Sequence, residues 1–406
     1  MPDFARSDDP TVQAQLDRLA LLSPGGDRLG LDRIARLLER LRRPQDRLPP
    51  VFHVAGTNGK GSTCAFLRAG LEASGRTVHM FTSPHLVRFN ERIRIAGKLI
   101  EDEALANLLA EVLDASGDIE PSFFEVTTAA AFLAFARTPA DACVIEVGLG
   151  GRLDATNVIE RPLVTGIANV GLDHQQFLGS SLAEIAFEKA GIAKNGVPVV
   201  VLGQKPEAAE AIERVAVERG APLLREGRNW GIDPTLRPTL PGDHQVRNAN
   251  LAWQMLQAQD RLPVTREHFL HGIATAQWPA RFQKLAPGPL AGDRETWLDG
   301  AHNLEAAQAL ADLLAEREPM HLVLGILANK PAEAIVATLA SHVESLTFVP
   351  VPEHAHHDPA ALAKRFGGRA APSLTEALGD LPSPRLIAGS LYLAGEALRL
   401  NDQLPD

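Results

Sequence analysis

The stretch VFHVAGTNGKGSTCAFLRAG, residues 51–70, sets a buried strand, a glycine-bearing turn and the start of a helix directly after one another. A strand that turns through glycines into a helix is the opening of an α/β unit, and it has the outline of a phosphate loop. The spelling departs from G-x-x-x-x-G-K-[ST], since Val54 stands six residues before Lys60 and Gly61 directly after it.

Helical periodicity and short β-rich runs alternate along the rest of the chain. LDRIARLLERL from Leu31, EDEALANLLAEVL from Glu101 and EVTTAAAFLAFA from Glu125 read as helices, while PVFHVAG, TVHMFTS, ACVIEVG, LVTGIANV and VPVVVLG read as strands. Such alternation predicts a mostly parallel sheet with helices on both faces. A Pro/Gly-rich stretch near Gln283 marks a boundary. Beyond it the strands TWLDG, HLVLGIL, LTFVPV and RLIAGS and the helix NLEAAQALADLLAER restart the pattern. The expectation is a larger α/β domain over 1–283 and a smaller one over 284–406.

The 406 residues are 45% hydrophobic and carry a formal charge of −10 without a basic tract, which argues against a nucleic-acid partner. Cys64 and Cys143, the two cysteines, sit among apolar neighbours and read as packing residues in a reducing compartment. The N-terminal residues show no apolar signal region, and TTAAAFLAFA is too short to span a bilayer, so the expectation is a cytoplasmic protein without a membrane partner.

Particular residues then suggest chemistry. Gly56, Gly59 and Gly61 let backbone approach phosphate oxygens, and Lys60 supplies a point charge for them. Ser83, after the strand TVHMF, falls at a carboxyl end that faces the ligand crevice of an open sheet; a turn residue before proline is the competing account. Glu146 lies inside an apolar strand, where a bare carboxylate needs a metal or a basic partner. Gly148, Gly150 and Gly151 allow a tight loop that presents Arg152 and Asp154 to an anionic or amide-bearing substrate, and His174 follows a further strand. Lys189, on a predicted helix, reads by itself as solvated.

The motifs HVAGTNGKGST, TSPHLVRFNERIR, FFEVTT, EVGLGGRLDATNV, LDHQQFLG, EKAGI, RNANLA, PARF, DGAHN and AGSLY occur in an order that resembles the folylpolyglutamate synthase group of Mur-type ligases, from about Leu29 to Leu393. GGRLDATN with FFE is more similar to the bacterial bifunctional members than to the single-activity ones.

The resemblance implies a P-loop, Mur-ligase-type ATP domain with a Rossmann-like α/β domain after it. It implies a monomer that uses ATP to add L-glutamate to dihydropteroate and to reduced folates. It assigns Thr57, Asn58, Gly59, Lys60, Gly61 and Ser62 to the phosphates, and Asn248, Arg281, Asp299 and His302 to a nucleotide held between two domains. Ser83, Glu146 and His174 are implied magnesium ligands, and Lys189 falls where the family carries an N6-carboxylated lysine serving a second ion. Arg28, Leu29, Gly30, Ser122, Phe124, Arg152, Asp154 and Ala155 are implied at the pterin, with Phe124 stacking on its ring. Three positions depart from the family pattern: Arg28 and Asn329 where aspartate is frequent, and Ser122 where threonine is.

Overall fold

The computed structural model of the protein describes residues 5–22 and 29–405. Its chain packs as two compact units, one formed by residues up to Thr239 with Val246–Ala276, the other by Leu240–Gln245 with Gln277–Pro405.

The first unit is built on eight strands: β1 Val51–Ala55, β2 Val78–Phe81, β3 Ile93–Ile95, β4 Lys98–Leu99, β5 Ala142–Glu146, β6 Val164–Ile167, β7 Val199–Val201 and β8 Leu223–Arg225. They lie in the order β4-β3-β2-β5-β1-β6-β7-β8. All neighbours from β2 to β8 run parallel, and β3 and β4 form an antiparallel edge. Every residue of β1, β2, β5, β6 and β7 is buried, which is why these strands are mainly apolar runs rather than alternating ones, with His53, His79, Glu146 and Thr165 as buried polar exceptions. The β3–β4 hairpin was not read from the sequence, because RIRI carries arginines at every second position. Arg94 is nonetheless buried, with its guanidinium donating to the Gly97 carbonyl.

The helices expected from periodicity form at Asp32–Arg40, Asp102–Ser116 and Phe123–Arg137. Among them Ile34, Leu37, Leu109, Val126 and Phe132 join one core with Phe81 and Ile145 of the sheet. Cys64 and Cys143 are both buried free thiols.

The second unit carries β9 Gln283–Lys284, β10 Thr296–Leu298, β11 Met320–Leu324, β12 Val343–Phe348, β13 Arg369–Ala370 and β14 Arg385–Ala388. Their order is β13-β12-β11-β14-β10-β9, parallel except for the edge strand β9. Residues 277–283, which composition assigns to the first domain, pack with this unit, where the Phe282 N–H donates to Asp299 at 2.8 Å. Among the described residues no helix is long and apolar enough to cross a membrane.

Candidate active site

The carboxyl end of β1 turns through Gly56 into a loop tied to the segment after β6. Thr57 N–H donates to Asn169 O at 2.7 Å, and the Thr57 hydroxyl both donates to Gly171 O and accepts from Gly171 N–H at 3.0 Å. Gly59 takes φ +88°, and a Cβ there would stand 2.4 Å from Asn248 Oδ1. Only glycine meets both demands, so Asn248 closes against the loop without touching a side chain. The helix Lys60–Ala73 begins immediately, and no side chain caps it. Its first N–H groups are therefore open to an anion. Gly61 and Ser62 are buried, and the Ser62 hydroxyl has no hydrogen-bond partner. Such an orphan costs roughly 1–3 kcal/mol unless a ligand satisfies it.

Around this loop the fold gathers charges from two other elements. Glu146, the last residue of β5, is 4% exposed; its Oε1 stands 3.9 Å from Lys60 Nζ and its Oε2 accepts from Ser83 N–H at 3.3 Å. Lys60 Nζ also donates to Thr57 O at 3.3 Å.

Lys189, near the end of the helix Leu182–Ala190, is also 4% exposed, which overturns its isolated reading as a solvated lysine. Its Nζ donates to Gly56 O at 2.9 Å. Burial, then the nearby Lys60 charge, pull its pKa down to about 7. Close packing sets this position: a Cβ on Gly151 would lie 2.8 Å from the carbonyls of Glu188 and Lys189, and one on Gly191 would lie 2.3 Å from Arg152 Cβ. His174 sits after β6 in left-handed conformation, φ 50°, with an exposed side chain. Among the described residues no three His, Cys, Asp or Glu side chains form a metal cage.

A second group lies beside Glu146. A Cβ on Gly148 would be 2.3 Å from Phe124 Cζ, so that ring lies directly over the loop after β5, and it also meets Phe81 with centroids 5.9 Å apart. Ser122 caps the helix Phe123–Arg137 in a reciprocal pair with Glu125: its hydroxyl accepts from Glu125 N–H, and its own N–H donates to Glu125 Oε2 at 2.6 Å. Arg33 holds the same carboxylate at 3.0 Å.

Arg152 does not stand free for a ligand: it forks onto Glu188 Oε1 at 2.8 and 3.1 Å and lies over the Phe187 ring. Asp154 is buried, its carboxyl raised by burial against the hydrogen bonds of Thr156, Leu149 and Gly148. Ala155 opens the short 3-10 turn that Asp154 caps. Leu29 packs against the core that lies around β6 and β7, and Gly30 has open space beside its Cα. Arg28 lies outside the described residues.

In the second unit the end of β10 gathers Arg281, Asp299 and His302. Asp299 accepts N–H bonds from Phe282 and Ala301, both at 2.8 Å, and burial raises its pKa. The Arg281 guanidinium donates to Ala280 O, and a Cβ on Gly300 would be 3.0 Å from it. His302 Nδ1 lies 2.8 Å from Gly300 O.

Two partners escaped the sequence reading. Glu188 adjoins Lys189 in EKAGI and Thr156 lies in GGRLDATN, so both were within quoted motifs, but only packing across 36 residues pairs Arg152 with Glu188. Nothing in local sequence joins Thr156 to β1, 103 residues away.

No family model matches the chain. It is 37% identical over 356 residues to dihydrofolate synthase/folylpolyglutamate synthase of Bacillus subtilis, covering 80% of this chain and 81% of that protein. Its fold matches the solved structure of E. coli FolC in complex with DHPP and ADP, with a TM-score of 0.88, 31% identity and coverage of 98% and 99% of the two chains. A bifunctional folylpolyglutamate synthase/dihydrofolate synthase with Mn, AMPPNP and L-glutamate bound matches at a TM-score of 0.84 and 31% identity, covering 95% and 97%. The loop of residues 56–62, the charges around it and these likenesses lead to one conclusion: the chain belongs to the dihydrofolate synthase/folylpolyglutamate synthase family of ATP-dependent ligases.

Proposed function

We propose that this protein joins L-glutamate to dihydropteroate, giving dihydrofolate, and to reduced folates, giving folylpolyglutamates. The observation that carries the reading is the convergence of Lys60, Glu146 and Lys189 on a phosphate-type loop whose Ser62 hydroxyl is buried and unsatisfied. In this reading Thr57, Asn58, Gly59, Lys60, Gly61 and Ser62 take the ATP phosphates, and Asn248 steadies the loop. The second unit's Arg281, Asp299 and His302 are assigned to the same nucleotide.

The donor set suits a hard divalent ion. The Glu146 carboxylate and the Ser62 and Ser83 hydroxyls are oxygen donors, and magnesium commonly takes one or two carboxylates, with phosphate and water completing its shell. Such an ion neutralises charge on the transferring phosphoryl group. His174 is retained as a further ligand, reached from its loop at the end of β6.

The chemistry follows from the weak electrophilicity of a carboxylate. Lys60, beside the β- and γ-phosphates, stabilises the charge that builds as the γ-phosphoryl group passes to the substrate carboxylate. The glutamate amine then attacks the acyl phosphate, phosphate leaves, and an amide remains. No side chain acts as a nucleophile.

Lys189 fits an N6-carboxylated residue serving a second ion. With a pKa near 7 a large fraction is free amine at neutral pH, able to attack carbon dioxide with release of a proton. The carbamate replaces a cation that repels Lys60 with an anion that attracts it.

On the pterin side the Phe124 ring and the loop Gly148–Ala155 are assigned to the ring system, with Leu29, Gly30 and Ser122 at its border. Arg28, at a position where bifunctional relatives often carry aspartate, favours a single-activity ligase as the second reading. The protein is taken to act in the cytoplasm and as a monomer, and sedimentation of the purified protein tests the second.

The deciding experiment is phosphate release with Mg-ATP and L-glutamate in the presence of dihydropteroate, of tetrahydrofolate, or of neither. Release that needs each pterin substrate in turn supports two activities, release with one alone supports the single-activity reading, and release without either overturns both.

A further inference from the structure

His53 is the middle residue of β1, the strand that leads into the phosphate loop, and no solvent reaches it. Its backbone registers with Ile145 of β5 and Thr165 of β6, so the imidazole starts from the centre of the sheet. Its Nε2 lies 2.8 Å from the Thr156 hydroxyl. That hydroxyl, in a residue equally buried, lies 2.5 Å from Asp154 Oδ1, to which the Thr156 N–H also donates at 3.0 Å. Asp154 Oδ2 accepts from Leu149 N–H at 2.8 Å, and the Gly148 N–H acts on the same carboxylate.

Backbone N–H groups of Gly148, Leu149 and Thr156 all donate to the Asp154 carboxylate, an environment made for an ionised acceptor; toward it the Thr156 hydroxyl gives its hydrogen and itself accepts from histidine. His53 therefore carries its proton on Nε2, and its Nδ1 is left buried without a partner. Burial, with the Lys194 charge behind it, holds the imidazole neutral with a pKa lowered to about 3. An orphaned ring nitrogen in a strand core is destabilising by itself, and an apolar side chain there would be free of it. What histidine supplies in exchange is one aimed N–H.

Both carboxylate oxygens of Asp154 are engaged within the protein. The Thr156 hydroxyl and N–H occupy Oδ1, the Leu149 N–H occupies Oδ2, the Gly148 N–H adds a further bond to the carboxylate, and the residue is 3% exposed. Its carboxylate is the post on which the loop from Gly148 to Thr156 is hung.

We propose that His53 and Thr156 are positioning residues for the pterin substrate: through Asp154 they fix the loop that follows β5, and so set affinity for the pterin without contributing to nucleotide binding. This rests on the assignment of that loop to the pterin. The same strand thus feeds both sides of the reaction, its carboxyl end the phosphate loop and its central side chain the pterin loop.

The test compares KM for dihydropteroate with KM for ATP in Thr156→Val, Thr156→Ser and the double variant His53→Leu/Thr156→Val, each checked for a cooperative melt. Thr156→Val is expected to raise KM for dihydropteroate roughly tenfold, the factor for a lost hydrogen bond at a buried acceptor, with KM for ATP unchanged. Thr156→Ser restores it. The double variant removes the orphaned histidine donor, so it folds even if the single valine variant does not, and it keeps the raised pterin KM. An unchanged pterin KM in the folded double variant, or a parallel rise in KM for ATP, overturns the proposal. If wild-type protein turns over only tetrahydrofolate, the same comparison is made with that substrate; turnover of neither sinks the pterin assignment itself, and the proposal with it.

Discussion

Lys189 and Gly56 are joined by a hydrogen bond of 2.9 Å from the lysine Nζ to the first carbonyl of the phosphate loop, in a place solvent hardly reaches. The helix Leu182–Ala190 thus holds the loop through one amine whose pKa lies at about 7. Lys189→Ala is expected to lower kcat by about a hundredfold or more, on the scale of removing one group that stabilises transition-state charge. Short carboxylates such as acetate should restore part of the rate, and wild-type activity should fall in buffer stripped of carbon dioxide and return with bicarbonate. Full activity of the alanine variant would end both the carbamate reading and any catalytic part for this lysine.

Lys60 and Glu146 approach to 3.9 Å, both largely buried. Lys60→Met keeps the stem and removes the charge, and kcat is expected to drop by about 10²–10³-fold. Chelation of divalent metal should stop the wild-type enzyme, with manganese restoring it. Retention of more than a tenth of the activity by Lys60→Met would show that the loop binds something other than a reacting phosphate.

These residues differ in how far the sequence disclosed them. Glu146 was conspicuous because a carboxylate interrupts the apolar run ACVIE, and the structure buries all five residues. Lys189 was opaque because its burial depends on the distant Gly151, whose missing side chain admits the helix end, and on Gly191, which admits Arg152 beside it. The hairpin Ile93–Leu99 hid behind arginines that pattern rules score as exposed, although Arg94 is buried. Composition placed a boundary after Gln283, whereas hydrogen bonds from Phe282 to Asp299 and from Gly300 to Ala280 commit the preceding residues to the second unit. Alternation of elements is a local property and was legible; the partners of charged side chains are set by long-range packing and were not.

Phe124 and Gly148 make the next case, since the ring tip would lie 2.3 Å from any Cβ at residue 148. Gly148→Ala must push the ring aside. Its expected effect is a rise of roughly three- to tenfold in KM for the pterin, the worth of an aromatic contact, with KM for ATP unchanged. Combined with Phe124→Ala it should cost no more than Phe124→Ala alone, because both changes remove one interaction. Additive losses would mean that the glycine serves the β5 loop for another reason.

Acid stability reports on two histidines that the fold holds neutral. Burial lowers His53 from 6.5 to about 3, and burial with the Arg281 charge lowers His244 from 6.5 to about 4. Below pH 6.5 the unfolded chain binds a proton at each position that the folded chain refuses until those lower values are reached. The unfolded state therefore holds more protons in this window, and stability falls as pH drops through it, by up to about 1.4 kcal/mol per pH unit for each group. Urea titrations between pH 7 and 5 should show this loss. His53→Leu should flatten it by up to one group's share, and should not be less stable than wild type at the acid end, because it also removes the unpartnered Nδ1. An equally steep loss in the leucine variant would mean that His53 accepts its proton in the folded protein, and that the chain from β1 to Asp154 is not held in the neutral form.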